Sequence, residues 1–175
     1  MALVECEFGI YDSHPPEKVA AILNHLTLTE METENYFTMA FADIDLVTGK
    51  VQMVQAGHPH PLIHRANGDT LHVGSGGPPI GLIADMIYDS FSFTLEAGDR
   101  LFIVSDGVTE CPNRDGELLD DEGAAEMLRR NRHVRGTAFM ETLIWDLAQY
   151  AGEEDFPDAV SAILFEFGGA KVNAD

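Results

Sequence analysis

Ser105-Asp106-Gly107 closes the apolar run Leu101-Phe102-Ile103-Val104. A buried strand that stops at Asp-Gly delivers a carboxylate to the end of a sheet, and glycine there lets the backbone turn tightly and approach a ligand closely. That arrangement suits a metal or phosphate site. Asp-Gly is also the commonest hairpin dipeptide, and on local sequence alone turn closure is the commoner reading. Carboxylates at strand ends are hard oxygen ligands for Mg²⁺ or Mn²⁺, and Asp106 is one such candidate. Asp158 is the second, because Glu153-Glu154-Asp155-Phe156-Pro157-Asp158 runs straight into the strand-like Val160–Phe167. If segments 100–104 and 160–167 pair, both carboxylates meet at one sheet edge and share a cation. If they do not, Asp158 belongs to a solvated acidic loop.

Other chemistries find less support. No GxSxG elbow surrounds Ser105, so no catalytic nucleophile is assigned. Cys111 precedes a proline and has no basic neighbour to lower its pKa, which makes it structural. His58 and His60 titrate in a useful range, but the prolines beside them fix the backbone and favour a loop-shaping role. Seven histidines give no HExxH, and two cysteines, Cys6 and Cys111, give no metal-ligand spacing. The Gly74–Gly81 stretch lacks the GKS or GKT ending of a P-loop.

The elements that must position these residues are readable in outline. Pro15-Pro16 open a helix with apolar Val19, Ile22, Leu23 and Leu26 at helical spacing. From Tyr36 the period becomes two, and a turn at Val47–Lys50 returns the chain along Val51–Ala56 as an antiparallel hairpin. Segments 62–64 and 70–73 flank Asn67-Gly68, a type I′ hairpin signal. Phe91–Leu95 and the central segment 100–104 read as strands joined by a turn at Glu96–Asp99. Helices follow over 121–131, with Ala124, Ala125 and Leu128, and over 137–150, with Phe139, Leu143, Trp145, Leu147 and Tyr150. Trp145 is read as core. Strands cluster early and helices late, which indicates an α+β fold with largely antiparallel sheets.

The 175 residues are read as one domain spanning 1–175, with 1–14 as an irregular lead-in and 168–175 as a disordered tail. Ten Lys and Arg stand against 30 Asp and Glu, a formal net charge of -20. Such a surface repels phosphate backbones and anionic membranes, so neither nucleic acid nor membrane is an expected partner. No segment has the roughly 20 apolar residues of a membrane span. No basic-then-apolar leader follows Met1, and with two reduced thiols the expected compartment is the cytoplasm.

Several segments together closely resemble the PPM family of metal-dependent serine/threonine phosphatases, in its bacterial SpoIIE and RsbU branch. They are Tyr36–Ala40, Gln55-Ala56-Gly57-His58-Pro59-His60-Pro61-Leu62, Pro78–Leu82, Leu95–Leu101, Ser105–Glu110 and Asp158-Ala159-Val160-Ser161. Their order and spacing agree from about residue 15 to residue 167. The resemblance implies an α/β/β/α sandwich of two antiparallel sheets, in which two Mn²⁺ or Mg²⁺ ions activate water for attack on phosphoserine or phosphothreonine. By position it makes Asp106 and Asp158 metal ligands, with Gly107 giving the backbone room. It also implies a phosphorylated anti-anti-sigma-type regulatory protein as substrate, an upstream receiver or sensor domain, and a possible homodimer.

The family's early Gly-Asp strand, which supplies the carboxylate bridging both metals, and its Asp-x-x-Gly-His-Gly motif have no match here. The first aspartates, Asp12 and Asp43, lie in other settings. Ala159 stands where the family usually has a second Asp or Asn. The sequence therefore reads as an N-terminally incomplete domain, its C-terminal two-thirds, inactive as it stands and holding at most one metal weakly. The alternatives are a non-catalytic phosphatase-like binding or dimerisation module, or a Mg²⁺-dependent hydrolase using Asp106 and Asp158 alone.

Overall fold

The computed structural model describes residues 14–30, 35–152, 156, 158–169. The expected lead-in and tail fall almost wholly outside this range. Helix α1 (Pro16–Glu30) is followed by strands β1 (Met39–Ile44), β2 (Lys50–Ala56), β3 (Leu62–His64), β4 (Thr70–His72), β5 (Ser90–Thr94) and β6 (Arg100–Val104). Then come α2 (Asp106–Thr109), α3 (Asp120–Arg130), α4 (Gly136–Ala151) and β7 (Ala162–Glu166). The strands form two antiparallel sheets, ordered β1-β2-β5 and β4-β3-β6-β7.

Period-two alternation turns these sheets into a sandwich. Val51 and Met53 of β2, Ile63 of β3 and Leu101 of β6 point into one inter-sheet cluster. The alternate residues point outward. Val54 and Ala56 meet Ala20 and Leu23 of α1. Leu62, Phe102 and Val104 meet Val108, Leu128, Phe139, Leu143 and Leu147 of α2, α3 and α4. The layers are thus α/β/β/α, as expected.

Three local expectations are corrected. The β3–β4 loop is not type I′, because Asn67 keeps a negative φ and only Gly68, at φ 100°, is left-handed. Gly68 N–H donates to Arg65 O (2.9 Å) and Arg65 N–H to Asp69 O (2.8 Å), the pattern of a three-residue loop with a glycine bulge. Asp99 selects it by accepting from Ala66 N–H (2.9 Å) and the Arg65 guanidinium (2.6 Å). Trp145 is not core: it is 62% exposed. The buried stripe of α4 is Phe139, Leu143, Leu147 and Ala151, and a residue two positions from that i, i+4 row lies on the far side of the helix. On α1 the deepest positions are Ala20, Asn24 and Thr27, flanked by half-buried Val19, Ile22, Leu23 and Leu26. Asn24 belongs there because its amide donates to Ile83 O (2.9 Å) and accepts from Gly81 N–H (2.8 Å) and the Tyr88 hydroxyl (3.2 Å).

One charge is completely buried. The Arg100 side chain, on β6, donates to Glu166 Oε1 of β7 (3.1 Å) and to Val134 O, and its guanidinium lies 5.2 Å from the Phe139 ring centroid. Glu166 also accepts from Arg135 (3.2 Å) and from Gly136 N–H (3.0 Å). Burial pushes the Glu166 carboxyl up, but these donors outweigh it and hold its pKa below 4.5. Burial likewise pushes Asp99 up, and the Glu96 and Ala66 amides with Arg65 hold it below 3.8. Burial lowers the His64 pKa below 6.5, and Arg100, Arg135, Arg132 and Arg129 lower it further.

All three shifts have one sign for stability. Below pH 6.5 the unfolded chain takes up a proton at His64 before the folded chain does, so stability falls. The contributions of Glu166 and Asp99 are complete above the unfolded carboxyl values and are lost as pH drops through the folded ones. Urea unfolding should therefore show stability declining in two stages on acidification, and His64→Gln should remove the first stage. Glu166→Gln should destabilise toward the lower end of about 3–5 kcal/mol, because it strands a buried guanidinium beside a partner that was itself partly exposed. Arg100→Met should cost less than Glu166→Gln, since it removes the buried charge itself.

Candidate metal centre

β6 and β7 are neighbours, paired from Arg100↔Glu166 to Val104↔Ala162. Asp106 and Asp158 consequently flank the same sheet end, Asp106 just past the end of β6 and Asp158 just ahead of β7. Both side chains are exposed. The apolar run ends not in an open turn but in α2, a single helical turn with Asp106 in its first position. Asp106 Oδ1 accepts the Gly107 N–H (3.0 Å), and Asp158 Oδ1 accepts the Ala159 N–H (2.6 Å). Each carboxylate is thereby oriented by its own backbone.

Ser105 holds the two segments together, a role that sequence reading missed. Its N–H donates to Ser161 O (2.9 Å), extending the β6–β7 ladder by one residue. Its hydroxyl then donates to Ala159 O (3.1 Å) and accepts from Ser161 N–H (2.9 Å). A small hydroxyl placed just before Asp-Gly and opposite a second strand start was the available signal. Gly107 is buried and helical rather than left-handed. A Cβ there would overlap the Ala159 carbonyl oxygen, so the close approach its small size permits is to the lead-in of β7. Gly107→Ala should destabilise by about 1–3 kcal/mol in urea unfolding, by wedging these segments apart.

His58 and His60 lie in a loop contact, as the flanking prolines suggested. Gln55 Nε2 donates to His58 O (2.6 Å) and Gln55 Oε1 accepts from Gly76 N–H (2.8 Å), while His60 Nδ1 lies 3.4 Å from Val73 O. Cys111 is fully buried and burial raises its pKa, which keeps the thiol protonated.

Asp106 and Asp158 offer hard oxygen donors at one sheet end. Among the described residues, no group of three or more His, Cys, Asp or Glu side chains could hold a metal ion. Two ions at close separation repel strongly unless carboxylates bridge them. The donors among the described residues do not by themselves make up a two-ion centre.

Comparison with known proteins agrees with the fold. The family model described as Stage II sporulation protein E (SpoIIE) matches residues 7–168. The phosphoserine phosphatase RsbP of Bacillus subtilis is 30% identical over 88 residues, covering 50% of this chain and 22% of that protein. The phosphoserine phosphatase RsbU of the same organism is 28% identical over 113 residues, covering 64% of this chain and 32% of that protein. The chain thus spans about a third or less of the length of these relatives. Among solved structures, the SiaA-PP2C domain of Pseudomonas aeruginosa superposes with a TM-score of 0.76 at 18% identity, covering 89% of this chain and 62% of that one. The phosphatase domain of SpoIIE from B. subtilis superposes with a TM-score of 0.63 at 22% identity, covering 91% and 69%. The chain belongs to the SpoIIE family of PPM-type phosphatase domains.

Proposed function

We propose that this chain is the phosphatase domain of a bacterial signalling protein, directed at phosphoserine or phosphothreonine on a regulatory protein of the anti-anti-sigma type. The observation that carries this reading is the pairing of β6 with β7, which places Asp106 and Asp158 at one sheet end. The substrate class in this reading is supported by similarity to relatives named phosphoserine phosphatases. An upstream receiver or sensor domain fits the same reading, as does action in the cytoplasm. No helix among the described residues is long and apolar enough to cross a membrane.

The 175 residues by themselves have negligible activity in this proposal. Two carboxylates with no third converging ligand among the described residues hold at most one Mn²⁺ or Mg²⁺ ion, and weakly. Ala159, next to Asp158, adds no side-chain donor that would order the site. No hydrolytic step is assigned to these residues. Hydrolysis of an aryl phosphate with Mn²⁺ should stay near background, and robust turnover abolished by Asp106→Asn would overturn the proposed inactivity. Calorimetric titration with Mn²⁺ should show no more than one weak site, lost in both Asp106→Asn and Asp158→Asn. A chain that gives no Asp106-dependent heat at all fits the second reading, a non-catalytic binding module, which the edge of β7, unpaired among the described residues, favours.

A further inference from the structure

In a chain with a formal net charge of -20, positive charge collects at one place. Arg129, Arg130, Arg132 and Arg135 lie in the last turn of α3 and the loop to α4, and Arg100 of β6 donates to that loop at Val134 O. Arg129 pairs with Glu122 and Glu126, and Arg130 with Asp146. The other three have one carboxylate among them. Glu166 accepts from both Arg100 and Arg135, while Arg132 donates to the neighbouring His133 ring (3.1 Å) and meets no carboxylate among the described residues. The field of this group reaches His64, which faces Arg100 across the β3–β6 pair. Beyond the effect of burial, Arg100, Arg135, Arg132 and Arg129 all hold the His64 pKa down.

These charges surround the start of α4. The first amides of a helix have no partner within it and carry the positive end of its dipole. Gly136 N–H is met by Glu166 (3.0 Å), and Arg135 at the N-cap adds no side-chain acceptor. Arg100 is seated under the same turn, between Val134 O and the Phe139 ring, whose centroid lies 5.2 Å from its guanidinium. Its Nη1 is buried and has no hydrogen-bond partner among the described residues. A buried charged donor left without an acceptor is costly. Glu166 does not supply one, because Oε1 is shared by two guanidiniums and Oε2 is taken by Gly136 N–H. The turn itself is open: Gly136 has φ 55°, and a Cβ built there would meet nothing within 4 Å. Arg132 and Arg135 are exposed beside it.

We propose that the start of α4 is a binding site for a phosphate-type oxyanion, either free phosphate or a phosphoryl group carried by a protein. Arg132 and Arg135 approach it from the loop, the Thr137 and Ala138 amides from the helix, and Arg100 Nη1 from beneath. A tetrahedral dianion has acceptors for donors converging from three directions, which a single carboxylate lacks. The acidity of the rest of the surface confines anions to this spot. The site lies at the Glu166 end of the β6–β7 pair, opposite the end that carries Asp106 and Asp158. It is therefore separate from the candidate metal centre and does not rest on the phosphatase reading.

The test is a ¹H–¹⁵N NMR titration of the 175-residue chain without metal, at constant ionic strength. Inorganic phosphate, N-acetyl-phosphoserine amide and chloride serve as probes. Both phosphate probes should give saturable shifts at the Arg100, Arg132 and Arg135 Nε–H groups and the Thr137 and Ala138 amides, and chloride should not. Tighter binding of inorganic phosphate assigns the site to the free anion, and tighter binding of the phosphoserine probe assigns it to a phosphorylated protein. Arg132→Gln and Arg135→Gln, both at exposed positions, should each weaken binding about tenfold. Asp106→Asn should leave it unchanged. Glu166→Gln removes the competing carboxylate, so phosphate should raise its urea midpoint more than that of the parent chain. Shifts that do not saturate, or that chloride reproduces, mean an adventitious ion only and overturn the proposal. Binding that survives both arginine substitutions overturns it too, and binding lost in Asp106→Asn instead would place the anion at the other sheet end.

Discussion

The antiparallel pairing of β6 with β7 is the constraint on which the rest of this structure depends. It joins segments more than fifty residues apart, so its loop-closure cost is met by tertiary contacts rather than local preference. One set of side chains along the pair fills the space between the sheets, and the other set seats α3 and α4. At one end it places Asp106 and Asp158 beside the same sheet end. At the other end it brings Glu166 to Arg100. Because the side-chain period is two, a one-residue slip would empty both cores and separate both pairs at once.

The Arg100–Glu166 contact helps to fix that register at a thermodynamic cost. A fully buried guanidinium loses its hydration, and Nη1 has no hydrogen-bond partner among the described residues. What remains is a carboxylate shared among Arg100, Arg135 and the Gly136 amide, a carbonyl from the α3–α4 loop, and an aromatic face. A buried pair of this kind contributes little net stability compared with an apolar substitute, but a misregistered strand would leave both charges uncompensated. The contact also ties the α3–α4 loop to the sheet, so helix packing and strand register are set by the same groups.

The layer order and most elements were legible because they rest on periodicity. The alternation in β1 and β2, the apolar run of β6 and the stripes of α3 and α4 are properties of single segments. What the sequence hid depends on partners distant in the chain. Trp145 looks like core by residue type, but its azimuth relative to Phe139, Leu143 and Leu147 places it outside. Asn67-Gly68 signals a tight hairpin, but the Asp99 carboxylate selects a wider loop. At the site, Asp106 and Asp158 were found from their position at strand ends, and their shared location was conditional on a pairing that only the fold reveals. The part of Ser105 depends on Ala159 and Ser161, so its signal is read only once the two strand ends are placed opposite each other.

The two ends of the β6–β7 pair are held by different physics, which bears on how the site relates to folding. At the Glu166 end the fixing groups are charged, and the Arg100 guanidinium among them is fully buried. At the Asp106 end they are neutral: a serine hydroxyl bridging two backbone groups, and a glycine against a carbonyl. Neutral hydrogen bonds and steric fit fix the segments that carry both aspartates, and both carboxylates reach solvent. In metal-folded domains, by contrast, the ion supplies the free energy that brings its ligands together. Here the scaffold of the candidate centre is a product of strand pairing. The groups that set the fold at this end are thus distinct from the carboxylates proposed as ligands, so Asp106→Asn and Asp158→Asn should leave the strand pairing intact.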